Sequence, residues 1–314
     1  LANNGGATRT HALLLGSAAI DAGADCVGLP ADQRLFSRVV DGNLDSVAVC
    51  DIGAFELRPI IVDTTADVTD NADGLCSLRE AIANANQDRR QYASCLAGGG
   101  PDVIGFNLPG GSTITLTGAL PDLTTPISIV GPGRDLLGID ANAAGRHVTV
   151  SNGDPSVIEV NMSGLSLRNA SANGTGGSIA SSEQLTLRGM RFVNNTSLQN
   201  PGGAISANAG SLRVEQTDFT GNTASHATSG RGGALRVAGG ATATIIASNF
   251  DNNTAVTYGG AMAVDNLSSA SISTSRFQGN HANADGGAVD ANGGAQATIL
   301  QSLISGNSAT QGGG

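Results

Sequence analysis

The chain has no tryptophan, no lysine and only two tyrosines among its 314 residues. Tyr92 and Tyr258 therefore carry all of the tyrosine chemistry, and the aromatic platforms on which sugar rings usually stack are scarce. All 16 basic residues are arginine, against 26 acidic ones, for a net charge of −10. A phosphate backbone is bound through a basic stripe, so this balance argues against nucleic acid as a partner. Anionic membrane surfaces are disfavoured for the same reason. No apolar run approaches the roughly 18 residues of a membrane span, so no membrane insertion is expected within this sequence. There is no initiator Met and no signal peptide, and the repeat pattern is cut at Gly314. The chain reads as an internal fragment of a longer exported protein. Neither cysteine spacing fits zinc, and the four histidines supply no partner pattern. No metal and no cofactor are expected.

What is abundant is glycine, 45 in all, and much of it is periodic. Gly232-Gly233-Ala234-Leu235 has copies at Gly176-Gly177, Gly202-Gly203, Gly259-Gly260 and Gly286-Gly287, and begins again at Gly312-Gly313. The spacings are 26, 30, 27, 27 and 26 residues. A second box keeps step: Phe192 to Asn195, Phe219 to Asn222, Phe250 to Asn253 and Phe277 to Asn280, with a weaker copy from Ile304 to Asn307. A fixed period of this size marks a stack of structural repeats. Within one period, Leu235 and Val237, then Ala243 and Ile245, then Phe250 fall on a two-residue alternation that puts one side chain in and the next out. Such short strands satisfy their backbones only by pairing with their equivalents one repeat away, and that pairing must be parallel. Three strands and three corners per turn predict an all-β fold, a right-handed parallel β-helix, the hand following the chirality rule for parallel crossovers.

The boxes then acquire reasons. Paired glycines suit a corner that needs positive φ or close approach to the next coil. Each Phe is expected to point inward and stack on its neighbour. Each Asn of the second box is expected at a corner, where it tolerates the left-handed region and bonds local backbone, with a ladder along the solenoid as a further option. Asn194-Asn195-Thr196 reads as such a turn in preference to a glycosylation acceptor. These paired boxes resemble the repeats of the polymorphic outer-membrane proteins, bacterial surface β-helices. The resemblance covers residues 176–314 and implies a surface-displayed passenger, often an adhesin.

Residues 1–58 read differently. Asn3-Asn4-Gly5-Gly6-Ala7-Thr8, Asp32-Gln33-Arg34 and the closing Asp51-Ile52-Gly53-Ala54-Phe55-Glu56 resemble the closing module of choice-of-anchor β-helix proteins. That implies the end of a preceding β-helix unit. His11 reads as a turn histidine, and Asp32, Arg34, Arg38, Asp51 and Glu56 as local ion pairs. Residues 59–100 contain Cys76-Ser77-Leu78-Arg79-Glu80-Ala81. Ser77 and Glu80 form a capping box, and Leu78, Ala81, Ile82 and Ala85 share one face of a short helix. This stretch resembles the CSLREA domain that precedes bacterial β-helices, and the helix is expected to lie over an open solenoid end, blocking its edge. The acidic loop before it (Asp63, Asp67, Asp70, Asp73) lacks EF-hand spacing and reads as solvated, with calcium left open. Residues 101–314 form the β-helix proper, its first coils to residue 175 being less regular.

The cysteines fall two per module, Cys26 with Cys50 and Cys76 with Cys95. An even number flanking two small units predicts two disulfides in an exported protein. Closing loops of this size stabilises by about 3 kcal/mol each on the entropy model.

β-Helices host enzymes as well as adhesins, so the fold leaves catalysis open. Aligning outward positions after the glycine box places Arg236, Asp265 and Asp290 on one face within roughly 10 Å, given coils about 4.8 Å apart. Two carboxylates at that range could serve an inverting glycosidase, and an arginine with acidic neighbours a lyase. Three charges scattered over five coils also describe a solvated face, and that reading is preferred. Thr113, Thr115 and Thr117 do not recur in register, which removes an ice-binding array. The sequence thus points to a secreted or surface-displayed bacterial segment, adhesin-like or stalk-like and without catalysis, facing an unidentified protein or glycan. A polysaccharide lyase or glycoside hydrolase is the alternative.

Overall fold

The computed structural model describes residues 1, 4, 6–24, 26 and 28–313. Asn3 and Gly5 of the closing-module stretch, and Gly314, lie outside the described residues. The chain forms two compact units, one of Leu1–Leu108 with Thr125–Val130, the other of Pro109–Thr124 with Gly131–Gly314.

The first unit is irregular up to Arg58, with isolated antiparallel bridges at Ala31–Ser37 and Val40–Val49. Buried carboxylates organise it. Asp51 accepts from the backbone N–H of Asp21 and of Leu57 at 2.8 and 2.6 Å. Asp32 accepts from the N–H groups of Arg34, Phe36 and Glu56. Such charges survive burial because backbone donors and arginines surround them. Cys26 is bonded to Cys50 and Cys76 to Cys95, leaving no free thiol. The helix runs Leu78–Asn86 with both halves of the Ser77–Glu80 capping box in place, and Leu78, Ala81, Ile82 and Ala85 are buried.

The ladder starts earlier than the sequence boundary at 101. Ile60–Val62 pairs in parallel with Asp102–Phe106, whose first half pairs with Ile127–Val130. The helix packs beside Ile60–Val62, the edge strand. Val103 and Ile104 are both buried, so this strand shows no simple alternation. Ile104 stacks between Ile60 and Ile129, while Val103 packs against Ile20, Phe55 and Leu57.

The second unit is a parallel β-solenoid. Its eight-stranded sheet, from Ser112–Thr115 to Leu303–Ser305, counts eight turns. Each regular coil holds four strands, not three. After Gly232 come Leu235–Val237, Thr242–Ile246, Asn249–Asp251 and Thr254–Ala255, each paired with its equivalents. The fourth is two residues long, too short to leave an alternation in the sequence.

Inside, Phe192, Phe219, Phe250 and Phe277 are fully buried and stack nearly parallel, with ring centroids 5.0, 4.7 and 4.6 Å apart. Burying each contributes roughly 1.5–3 kcal/mol. The asparagines do something other than hold the left-handed corner. Positive φ falls one residue earlier, at Asn194, Gly221, Asn252 and Gly279. Asn195, Asn222, Asn253 and Asn280 are buried instead. The amide of Asn222 donates to Oδ1 of Asn253 at 3.0 Å and to the Phe192 carbonyl at 3.1 Å, and its own Oδ1 accepts from the backbone and side chain of Asn195. A buried amide is costly unless its donors and acceptors are paired, and stacking the same residue at one period pairs them. In the glycine box the first residue has positive φ, as at Gly232 and Gly259. At the second, Gly233, a Cβ would collide with the carbonyl oxygen of Gly260 on the next coil.

Candidate functional site

Three columns of side chains meet beside the glycine corner. The residue before each box contributes Arg231, Tyr258 and Asp285. The strand after the box contributes Ser206, Arg236 and Asp290, which share one register position. Two residues further on come Asn208, Asp265 and Asn292. The corner column faces the other two because the paired glycines turn the chain back on itself there.

The structure brings Arg236 and Asp265 into contact and links Asp290 to them. Arg236 Nε donates to Oδ2 of Asp265 at 2.9 Å, and Arg231, which sequence reasoning missed, donates from NH1 to Oδ1 at 2.8 Å. Arg231 also reaches Oδ1 of Asn292 at 3.1 Å, and Asn292 donates to Asp290 at 2.8 Å. Towards the earlier coils, Arg236 meets Asn208 Oδ1, which accepts from Ser206. Asn208 in turn donates to Thr175 Oγ1. The guanidinium of Arg231 lies over the Tyr258 ring, 4.8 Å from its centroid. The result is one connected polar network along the corner.

One expectation is corrected. Asp265 is not on a solvated face: its side chain is 1% exposed, closed over by the two arginines. A carboxylate lying beside a corner glycine has little room for water, and two guanidinium groups compensate its burial. Asp290 is half-buried. Burial pushes its carboxyl up, the Asn292 hydrogen bond pulls it down, and the charge of Asp265 pushes it up again, for a net rise. The missed members, Arg231 and Tyr258, had a usable signal, since both occupy the position just before a glycine pair.

The remaining candidates serve structure. In the acidic loop, Asp63 accepts from the Cys76 N–H, Asp67 holds Arg79, and Asp70 and Asp73 close local turns with Ala72 and Leu75. These four carboxylates face different partners, and no metal-binding group of three or more side chains occurs among the described residues. Ser178 Oγ lies 2.9 Å from His147 Nδ1, a serine–histidine pair, but both are buried. His147 Nε2 sits 3.0 Å from the Ile139 carbonyl, which can only accept. Nε2 therefore carries the proton and Nδ1 accepts from Ser178. Burial drives this imidazole down to about 4.

No protein-family model matches the chain, and no curated protein matches it in sequence. Among the described residues, no helix is long and apolar enough to cross a membrane.

Proposed function

We propose that the chain is a segment of an exported, surface-displayed bacterial β-solenoid, adhesin-like or stalk-like, that binds through its polar corner without catalysing a reaction. The observation that carries this reading is Asp265. Both of its oxygens are occupied by arginines and its side chain is buried, so Asp265 does not serve as one of a pair of free carboxylates. General acid–base cleavage of a sugar polymer needs two such groups facing the bond. Two disulfides fit an oxidising compartment, and the CSLREA-like and outer-membrane-like repeats support export and display. Arg231, Tyr258 and Asn292 offer a planar cation, a ring and an amide to a protein or glycan chain lying along the axis.

Asp290 favours a second reading, polysaccharide cleavage, because a half-buried carboxyl with a raised pKa is what a general acid requires. One experiment separates the two. Acidic and neutral polysaccharides are offered to the protein, and new reducing ends, unsaturated products and retention are all measured. Retention without turnover, weakened about tenfold by Tyr258→Ala, is expected, a loss on the order of 1.4 kcal/mol. Turnover that disappears in Asp290→Ala overturns the binding reading.

A further inference from the structure

Between the Phe strand and the short fourth strand of each coil, the backbone turns through the left-handed region. One column of residues fills that turn: Asn169, Asn194, Gly221, Asn252, Gly279 and Gly306, each with positive φ. Glycine meets the turn on three coils with no side chain at all, so the turn itself asks nothing of an amide. Asn169 puts its amide to local use, donating to Oδ2 of Asp140 at 2.9 Å. Asn194 and Asn252 do not. Both are exposed, and neither side-chain amide makes a hydrogen bond among the described residues. Their Oδ1 atoms lean on Gly221 and Gly279 of the following coil, where a Cβ would come within 2.6 and 2.5 Å of them. The following coil therefore sets no side chain over either asparagine.

Each stands two residues before a threonine, in Asn194-Asn195-Thr196 and Asn252-Asn253-Thr254. Asn-x-Ser/Thr, with x other than proline, is the acceptor pattern for N-linked sugar. In the sequence the turn and the acceptor compete for the same residues. The structure divides the work between neighbours. Asn195 and Asn253 are fully buried in the ladder, while the asparagine before and the threonine after occupy outward positions. We propose that Asn194 and Asn252 are acceptors of N-linked sugar, two coils or about 10 Å apart along one outer edge of the solenoid. The proposal is independent of what the polar corner binds.

The other copies of the pattern are each compromised. Asn195 and Ser197 are both buried, which closes Asn195-Thr196-Ser197. Ser268, the hydroxyl of the copy at Asn266, is buried and accepts from the Gly240 N–H. Thr175, the hydroxyl of the copy at Asn173, accepts from Asn208. Asn161 donates to Glu159, and Asn169 is tied to Asp140. The reaction needs a glycosyl diphosphate donor and a transferase. The Asn Nδ2 bonds to the anomeric carbon, and the bond from that carbon to the diphosphate oxygen breaks, its electron pair leaving with the diphosphate. The proton lost from nitrogen passes to a base of the transferase. A nucleotide-linked donor adds single sugars and a lipid-linked donor adds a preassembled block, so the attached mass tells the two apart.

The test uses protein isolated from the cells that produce it, cleaved after arginine and sequenced by fragmentation mass spectrometry. Sugar mass is expected on Asn194 and Asn252, with Asn195 and Asn253 bare. Thr196→Ala and Thr254→Ala, made in the same cells, should each lose the sugar at their own site, and Thr196→Ser should keep it. Neither threonine hydroxyl is bonded to a described residue, so the Tm of the alanine variants without sugar should match that of the unaltered chain stripped of sugar. That match separates loss of the acceptor pattern from misfolding. Asn194→Gln should also lose the sugar while folding, because glutamine already holds the left-handed region at Gln216 and Gln301. Bare Asn194 and Asn252 in the isolated protein overturn the proposal. So does sugar on Asn195 or Asn253, or sugar on the Thr196 hydroxyl that survives Asn194→Gln.

Discussion

The two units are built on opposite economies. Residues 1–108 use single, unrepeated devices: two disulfides, one capped helix, a cation–π stack, and carboxylates each met by its own donors. Among the described residues, 131–313 contain no disulfide and no helix, and their regular coils repeat two devices, the Phe stack and the Asn ladder. The first kind of region has no spare copies, so each loss is felt alone. In the second, stability is close to a sum of equal coil terms and interfaces between neighbours, so damage is local but breaks a continuous run.

Changes can break this contrast, from the largest expected effect downward. Phe250→Ala removes a ring stacked on both sides and should cost about 3–5 kcal/mol. Hydrogen exchange should show the loss centred on the coils of Phe219 and Phe277, with the first unit unchanged. Cys76→Ser with Cys95→Ser should cost about 3 kcal/mol for a loop of this length. Limited proteolysis should then cut within residues 59–100 while the repeats keep their protection.

Acidity sharpens the comparison because the two regions respond with opposite signs. His147 in the repeats titrates at about 4 when folded, below its ordinary 6.5. The unfolded chain binds the extra proton between those values, so this contribution is present above 6.5 and is lost as pH falls towards 4, on the order of 3 kcal/mol. Glu56 and Asp102 in the first unit are raised to about 7. The folded state binds the extra proton there, so their contribution is present at low pH and lost as pH rises through 7. Region-resolved hydrogen exchange at pH 4.5 and 8 should weaken the repeats at the acid end and the first unit at the alkaline end. Equal loss in both regions at one end removes the contrast. The smallest effect is expected from Arg213→Ala, whose half-exposed ion pair with Glu215 lies on the outer surface of a coil. Its Tm should stay within the change expected from 0–1 kcal/mol.

What could be read from the chain follows the same division. The glycine corners and the inward Phe were legible because each recurs at one period, and repetition turns a weak preference into a pattern. The helix was legible because Ser77 and Glu80 sit at the one spacing that caps it. The inward role of the asparagines was not, since Asn is common at corners and the left-handed residue stands directly before it. The burial of Asp265 was hidden because its partners come from other coils, Arg231 lying 34 residues away and Arg236 29. Val103 and Ile104 are buried side by side because their strand has apolar neighbours on both faces, which leaves no alternation to read.

The Asn ladder has a consequence for length. Each rung meets the next through the same bonds, Asn222 to Asn253 and Asn253 to Asn280. Residues 232–258 form one whole turn, and excising them would put Asn222 opposite Asn280 with every bond type preserved. The molecule can therefore be shortened or extended in steps of about 4.8 Å without redesigning a single joint. Gene duplication and deletion then become a ruler for the length of the solenoid.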